Sequence, residues 1–142
     1  MRVKDVANTL SVSAETVRFY TRKGFLSPAK NPANGYKEYG KKDLARMGFI
    51  LSARSLGFSV NDIGEILTVA DRKNTPCPLA RVLIEKRLYE TEQQYRETCK
   101  LRHRMHAAIR AWRSLPDVEP TGDMICHLIE NSSFSEQGVN HE

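Results

Sequence analysis

Long apolar runs are missing from this sequence: none of its 142 residues falls in a hydrophobic stretch that could cross a bilayer, which takes about 20 apolar residues in a row. The opening Met1-Arg2-Val3-Lys4-Asp5 moves straight into alternating polar and apolar residues and lacks the apolar block of an export signal. A cytoplasmic protein without a membrane partner is expected. Cysteine is scarce too. Cys77, Cys99 and Cys126 are odd in number and far apart, which excludes a disulfide framework and implies reduced thiols. A glycine-rich phosphate loop, an HExxH pair and a nucleophile elbow are all absent, so no motif marks the chain as an enzyme. Repeats and low-complexity tracts are absent as well. The length leaves room for one compact domain, or for a small domain with an extended element.

What is present is charge, unevenly placed. Residues 1–60 carry 11 Lys/Arg against 4 Asp/Glu, whereas residues 61–142 carry 11 against 13. The net +5 of the chain therefore belongs to its N-terminal part. A polyanionic partner for that part follows, because phosphate neutralisation with counterion release supplies most of the affinity for nucleic acid.

The spacing of apolar residues predicts a mainly α fold. Lys4–Leu10 reads as a short helix with Val3, Val6, Ala7 and Leu10 on one face, and Ser11 or Ser13 follows as turn and cap. Ser13–Lys23 reads as a second short helix stopped by Gly24. Two short helices joined by a tight turn are the helix-turn-helix plan. Asn34-Gly35, between Lys30 and Tyr39, signals a two-stranded wing, since both residues tolerate positive φ. Asp43 opens a helix through Ser55, and Ser59 caps another over Asp62–Val69. From Ile84, positions 84, 88, 91, 95, 98, 102, 105, 109 and 112 alternate steps of four and three, which is a heptad seam. A helix of that length, on the order of 50 Å, outruns a 70-residue domain, and a second copy of itself is the simplest partner. The expected parts are a winged helix-turn-helix over 1–70, a linker over 71–78, a coiled-coil dimerisation helix over 79–115 ended by Pro116, and a loop and tail over 116–142. The end from Asn131 reads as disordered.

A recognition helix needs donors on its exposed face, reaching base edges from its N-terminal half and phosphates from its flanks. Glu15, Thr16, Arg18 and Phe19 stand near the start of the second helix, with Tyr20, Arg22 and Lys23 beyond. Val17 and either Phe19 or Tyr20 must pack inward, and Arg18 is best suited to a bidentate guanine contact.

Ser13-Ala-Glu-Thr-Val-Arg-Phe-Tyr20, Lys23-Gly-Phe-Leu-Ser-Pro28, Asn34-Gly-Tyr-Lys-Glu-Tyr39, Asp43-Leu44 and Ala53-Arg-Ser-Leu-Gly-Phe58, followed by the heptad helix, resemble the mercury-resistance regulator (MerR) family over residues 1 to about 115. The resemblance implies a homodimer joined by an antiparallel coiled coil. It implies a palindromic promoter element as double-stranded DNA partner, lying between the recognition boxes of RNA polymerase. Such regulators stay on DNA with or without effector and activate by distorting the duplex. Family contacts carry over to Thr16, Arg18 and Tyr20 in the recognition helix, to Lys37 and Tyr39 in the wing, and to Arg54 on the third helix. Lys37 departs from the usual arginine, which keeps a phosphate contact without the planar fork.

Within the metal-responsive branch, a cysteine at the position of Cys77, just before the long helix, marks sensors of divalent ions. Their remaining ligands come from a loop after that helix, and the resemblance implies an antiparallel pairing that would bring Cys77 of one chain beside Cys126 and His127 of the other. Thiolate and imidazole suit a soft or borderline ion, such as zinc, cadmium, lead or mercury. The earlier loop cysteine of the family pattern is missing, so His127, or else Asp117, Glu119 or Asp123, completes the expected set. A reactive thiol pair at Cys77 and Cys126 that senses oxidants or electrophiles is the alternative. Cys99, His103, His106 and His141 are expected to take no part.

Overall fold

The computed structural model describes residues 1–135. Its elements are α1 (Val3–Leu10), α2 (Ala14–Arg22), β1 (Ala29–Lys30), β2 (Lys37–Glu38), α3 (Lys41–Ser55), α4 (Val60–Asp71), α5 (Cys77–Trp112) and α6 (His127–Ser135). They fall into two compact units, Met1–Arg87 and the chain from Leu88 onward. Among the described residues no helix is long and apolar enough to cross a membrane.

In the first unit α1 turns Val6 and Ala7 into the core, with Val3 and Leu10 half-buried beside them. Ser11 takes the left-handed conformation at φ 58° and closes the helix, and the Val12 amide donates back to the Ala7 carbonyl at 3.0 Å. Ser13 then caps α2: its Oγ accepts from the Thr16 amide at 3.1 Å. Gly24, at φ 85°, ends α2 as expected, because a left-handed residue lets the Phe25 amide reach the Tyr20 carbonyl at 3.0 Å.

The wing is present, with Ala29 opposite Glu38 and Lys30 opposite Lys37. Its turn differs from the tight Asn-Gly type. Residues 31–36 form a longer loop closed by Asn31, whose amide donates to the Tyr36 carbonyl at 2.8 Å and whose carbonyl accepts from Gly35 at 2.7 Å. Gly35 takes positive φ but Asn34 does not. The Asn34 carboxamide instead accepts from the Tyr36 amide at 2.9 Å, a local side-chain turn. Backbone bonds between Met1 and Tyr39, at 3.1 and 2.6 Å, fasten the chain ahead of α1 to the end of the wing.

Two buried carboxylates organise this unit. Asp43, 7% exposed, stands in the first turn of α3, where its Oδ2 accepts from the Gly40 amide at 3.1 Å and its Oδ1 from the Ser27 amide at 2.9 Å. Helix α3 thus starts at Lys41, ahead of the expected Asp43, which acts from within its first turn. Asp62, 3% exposed, forms a reciprocal cap with Ser59, as Ser59 Oγ accepts from the Asp62 amide and Asp62 Oδ2 from the Ser59 amide. The same Oδ2 pairs with Arg87 Nε at 2.9 Å. Arg46 fastens a third point: its Nε donates to the Phe25 carbonyl at 2.7 Å and its guanidinium forks onto Asp71.

Met47, Ile50, Ile63, Val6 and Val17 are the largest fully buried side chains of the core. The start of α5 joins them, with Leu83 buried and Leu79, Ala80 and Ile84 packed against it. The long helix therefore begins at Cys77, within the stretch 71–78 read as a linker, because Pro78 sits in a first turn where no amide donor is needed. Ile84 belongs to this core, so the exposed part of the seam starts at Leu88. In the second unit Leu88, Thr91, Tyr95, Thr98, Arg102, Met105 and Ile109 are all exposed along α5.

The remainder of that unit is a short irregular stretch with one bridge, Thr121 to Met124, followed by α6. Asn131–Ser135 are helical, contrary to the reading of disorder from Asn131. Residues 136–142, including His141, lie outside the described residues.

Asp43→Ala leaves two inward-facing amides without an acceptor, each costing about 1–3 kcal/mol. We expect about 2–4 kcal/mol lower stability in urea denaturation, with an unchanged slope, and a smaller loss for Asp43→Asn, which keeps one acceptor.

Candidate nucleic-acid interface and effector residues

The first unit carries an open groove of ≈ 540 Å³ lined by Arg2, Val3, Lys4, Arg18, Thr21, Arg22, Gly35, Tyr36, Lys37 and Tyr39. Five of these side chains are cationic and none is acidic. Each comes from a different local cause. Arg18 and Arg22 share the exposed face of α2, since its other face is committed to Val17 and Tyr20. Lys37 stands exposed on β2, Arg2 directly precedes α1, and Lys4 is in its first turn. The Arg2 guanidinium lies 4.3 Å from the Tyr36 ring centre, a cation-π contact that ties α1 to the wing loop. A concave surface with one sign of charge concentrates polyanion next to it.

Thr16 is half-buried in the first turn of α2, its hydroxyl 2.8 Å from Ser13 Oγ. Arg18 and Lys37 are exposed and face the groove. Arg54 is exposed but lies outside this groove, and its Nη1 donates to the Phe58 carbonyl at 2.7 Å, closing the turn after α3. Tyr20 and Tyr39 are both largely buried. Tyr20 is 6% exposed, edge-on to Phe19 and stacked on Phe25, so of the two aromatic neighbours Tyr20 is the one that packs inward. Tyr39 is 3% exposed, with its hydroxyl 2.9 Å from Thr21 Oγ1. Both rings help to hold α2 and the wing in place, and Tyr39 also lines the groove. Arg2, Lys4 and Tyr36 were missed, because only folding brings the start of α1 beside the wing. The uneven charge count was the one sign of them.

The effector residues sit apart in sequence and in separate units. Cys77 is exposed at the first position of α5, its amide donating to Thr75 Oγ1 at 3.3 Å. Cys126 is half-buried immediately before α6. Glu130 accepts from the Ile125 and Cys126 amides at 2.7 and 2.8 Å, and these bonds, the Cys126 one foremost, hold its carboxyl below the usual range. His127 Nε2 lies 2.9 Å from the Pro116 carbonyl, which can only accept, so Nε2 is the donor of this bond. Within the single chain, no three His, Cys, Asp or Glu residues converge among the described residues.

Sequence profiles described as "MerR HTH family regulatory protein" and "MerR, DNA binding" match residues 1–69 and 44–108. A probable heavy metal-dependent transcriptional regulator of Haemophilus influenzae is 30% identical over 101 residues, covering 71% of this chain and 79% of that one. The chain is a member of the MerR family. The mercuric resistance operon regulatory protein of Serratia marcescens is 35% identical over 95 residues, 67% of this chain and 65% of that regulator, just under two thirds of its length. The lead(II) complex of the transcription regulator PbrR691 from Ralstonia metallidurans shares the fold, with a TM-score of 0.69 at 19% identity, covering 92% of this chain and 98% of that one. MerR membership makes the chain a helix-turn-helix transcription regulator and not an enzyme. The family profiles stop at residue 108, so Cys126 and His127 lie beyond them.

Tyr20→Phe should leave DNA affinity unchanged, whereas Arg18→Ala should cost about 1–3 kcal/mol of discrimination between sites. Lys37→Ala, and equally Arg2→Ala, should weaken all duplexes alike and flatten the slope of log affinity against log salt by about one. Fluorescence-anisotropy titrations over a salt series separate the three behaviours.

Proposed function

We propose that the chain is a metal-responsive activator: a homodimer, paired through the exposed seam of α5, that holds a palindromic promoter and distorts it when a soft or borderline divalent ion binds. The single observation that carries the metal reading is the state of His127. Its Nε2–H is committed to a backbone carbonyl, which leaves Nδ1 of the neutral ring to donate to a metal, one residue after Cys126 in the sequence. An oriented second nitrogen of this kind is how ligating histidines are held in metal sites. Cys77 supplies an exposed thiol, and two sulfurs with one imidazole nitrogen suit zinc, cadmium, lead or mercury. The metal dependence in the names of the relatives agrees with this donor set. In a symmetric dimer Cys77 comes from one subunit and Cys126 with His127 from the other.

The DNA groove and the ligands divide the work. Phosphate contacts from Arg2, Lys4 and Lys37 fix the protein on DNA irrespective of sequence, and Arg18 supplies base readout. Bending a promoter costs about 1–6 kcal/mol. A metal can repay that only by binding the distorting dimer more tightly than the relaxed one, by about fivefold to about 25,000-fold. RNA polymerase then meets a promoter whose recognition boxes have been brought into register.

The test is metal titration of the reduced dimer, with elemental analysis and transcription in vitro for each ion. One ion per shared site and activation by that ion are expected, and Cys77→Ser should abolish activation while DNA affinity stays. A Cys77→Ser dimer that still responds fully to metal overturns the metal reading. Failure of anaerobic, metal-loaded protein to activate, with activation by peroxide or an aldehyde, would assign the two thiols to oxidant or electrophile sensing instead.

A further inference from the structure

On the exposed face of α2, Glu15 stands between the two groove arginines. Its Oε2 is 2.8 Å from Arg22 Nη2 and its Oε1 3.6 Å from Arg18 Nη1, so each carboxylate oxygen serves a different guanidinium. Positions 15, 18 and 22 are spaced by three and four and form one stripe of the helix. Without the carboxylate, Arg18 and Arg22 are like charges four apart on that stripe, which repel and spread. With it, both side chains are drawn into one cluster. The other groove cations are arranged differently: Arg2 rests on Tyr36, and Lys4 and Lys37 have no ion-pair partner among the carboxylates of the described residues. The internal counter-ion is thus confined to the two arginines of the recognition helix. The Arg22 guanidinium, by hydrogen bond first and charge second, holds the Glu15 carboxyl below the usual carboxylate range, so the counter-ion stays ionised at neutral pH.

We infer that Glu15 is a specificity-determining positioning residue: it holds Arg18 in its base-reading pose through the shared cluster with Arg22, and it suppresses indiscriminate phosphate binding by the same two arginines. This rests on the DNA-binding reading above. A carboxylate among phosphates lowers affinity for every duplex. It is tolerable only where the energy it withholds from random DNA exceeds what it withholds from the correct site. At the correct site Arg18 turns its fork to a base edge, and the carboxylate remains the partner of Arg22. On random DNA both arginines have only phosphates to bind, and each must leave the carboxylate to do so. The discrimination comes from that difference.

The experiment uses the full dimer and a duplex enriched from a random pool by the wild-type chain, beside a scrambled duplex of the same composition. Glu15→Gln is expected to raise affinity for the scrambled duplex, to steepen log affinity against log salt there by about one, and to lower the ratio of specific to scrambled binding about five- to tenfold, a part of what one good base contact supplies. In an Arg18→Ala background the same change should move the ratio clearly less, since the part that acts through Arg18 is lost and only the part that acts through Arg22 remains. Glu15 also lies in the first turn of α2, where any acid favours the helix dipole. Loss of that contribution lowers helix content in circular dichroism but neither raises affinity for scrambled DNA nor depends on Arg18. A ratio unmoved by Glu15→Gln, or one moved equally with and without Arg18, overturns the inference while the DNA-binding reading stands. A wild-type chain that enriches no duplex overturns both.

Discussion

The wing is held at its base by one carboxylate. Ser27 precedes β1 and Gly40 follows β2, and the amides of both donate to Asp43. A two-stranded ribbon with only two residues in each strand cannot hold itself together in water. Its position has to be imposed from outside, and Asp43 imposes it from the first turn of α3. Tyr39 completes the attachment by binding Thr21 on α2 through its hydroxyl, and Met1 by pairing with the backbone of Tyr39. The groove that gathers Arg2, Lys4, Arg18, Arg22 and Lys37 exists only while the wing stands at this distance from α2. The whole cationic surface therefore depends on a buried anion that never touches it.

A second buried anion governs the other side of the unit. Asp62 caps α4 and meets Arg87 on α5, and Leu79, Ala80, Leu83 and Ile84 seal the same junction. A buried carboxylate that lost its guanidinium partner would be left with an uncompensated charge, which costs far more than an exposed pair gains. The first turns of α5 are consequently part of the DNA-binding unit and do not form a linker to it. A displacement that starts at Cys77 acts directly on a helix whose next three turns belong to the core beneath α4.

How legible this was from sequence depended on whether the deciding contact was local. Ser13, Ser59 and Gly24 did what their positions announce, because a cap or a left-handed stop is settled within four residues. The helix-turn-helix and the wing followed from such signals and from the period of the apolar residues. Pro78 misled for a local reason. Proline breaks a helix interior but suits a first turn, and from sequence alone the two readings look the same. Ile84 misled because one period runs without a break from the face packed in the first unit into the exposed seam, so periodicity cannot show where one use ends and the other begins. Tyr20 and Tyr39 were assigned by motif to the DNA surface, but burial is a tertiary property, and the motif gave no sign that both rings are largely buried. Arg2, Lys4 and Tyr36 come together only through the fold, as does the bond from His127 to Pro116, eleven residues apart.

The arrangement also says where regulation can act at least cost. On the proposed function the regulator stays on its promoter in two states and needs an affinity that does not change with the signal, which phosphate contacts from a rigid, core-fixed groove would provide. Changing that groove would mean breaking the Asp43 and Asp62 networks, whose buried partners make every intermediate expensive. In the proposed dimer, what is left adjustable is the relation between two copies of the groove, set along the exposed seam of α5 and at its ends. On the proposed reading the ligands lie there: Cys77 at the first position of α5 and Cys126 with His127 after its last turn. A metal that joins those ends across a dimer works on the one degree of freedom that can alter the DNA without loosening the hold on it.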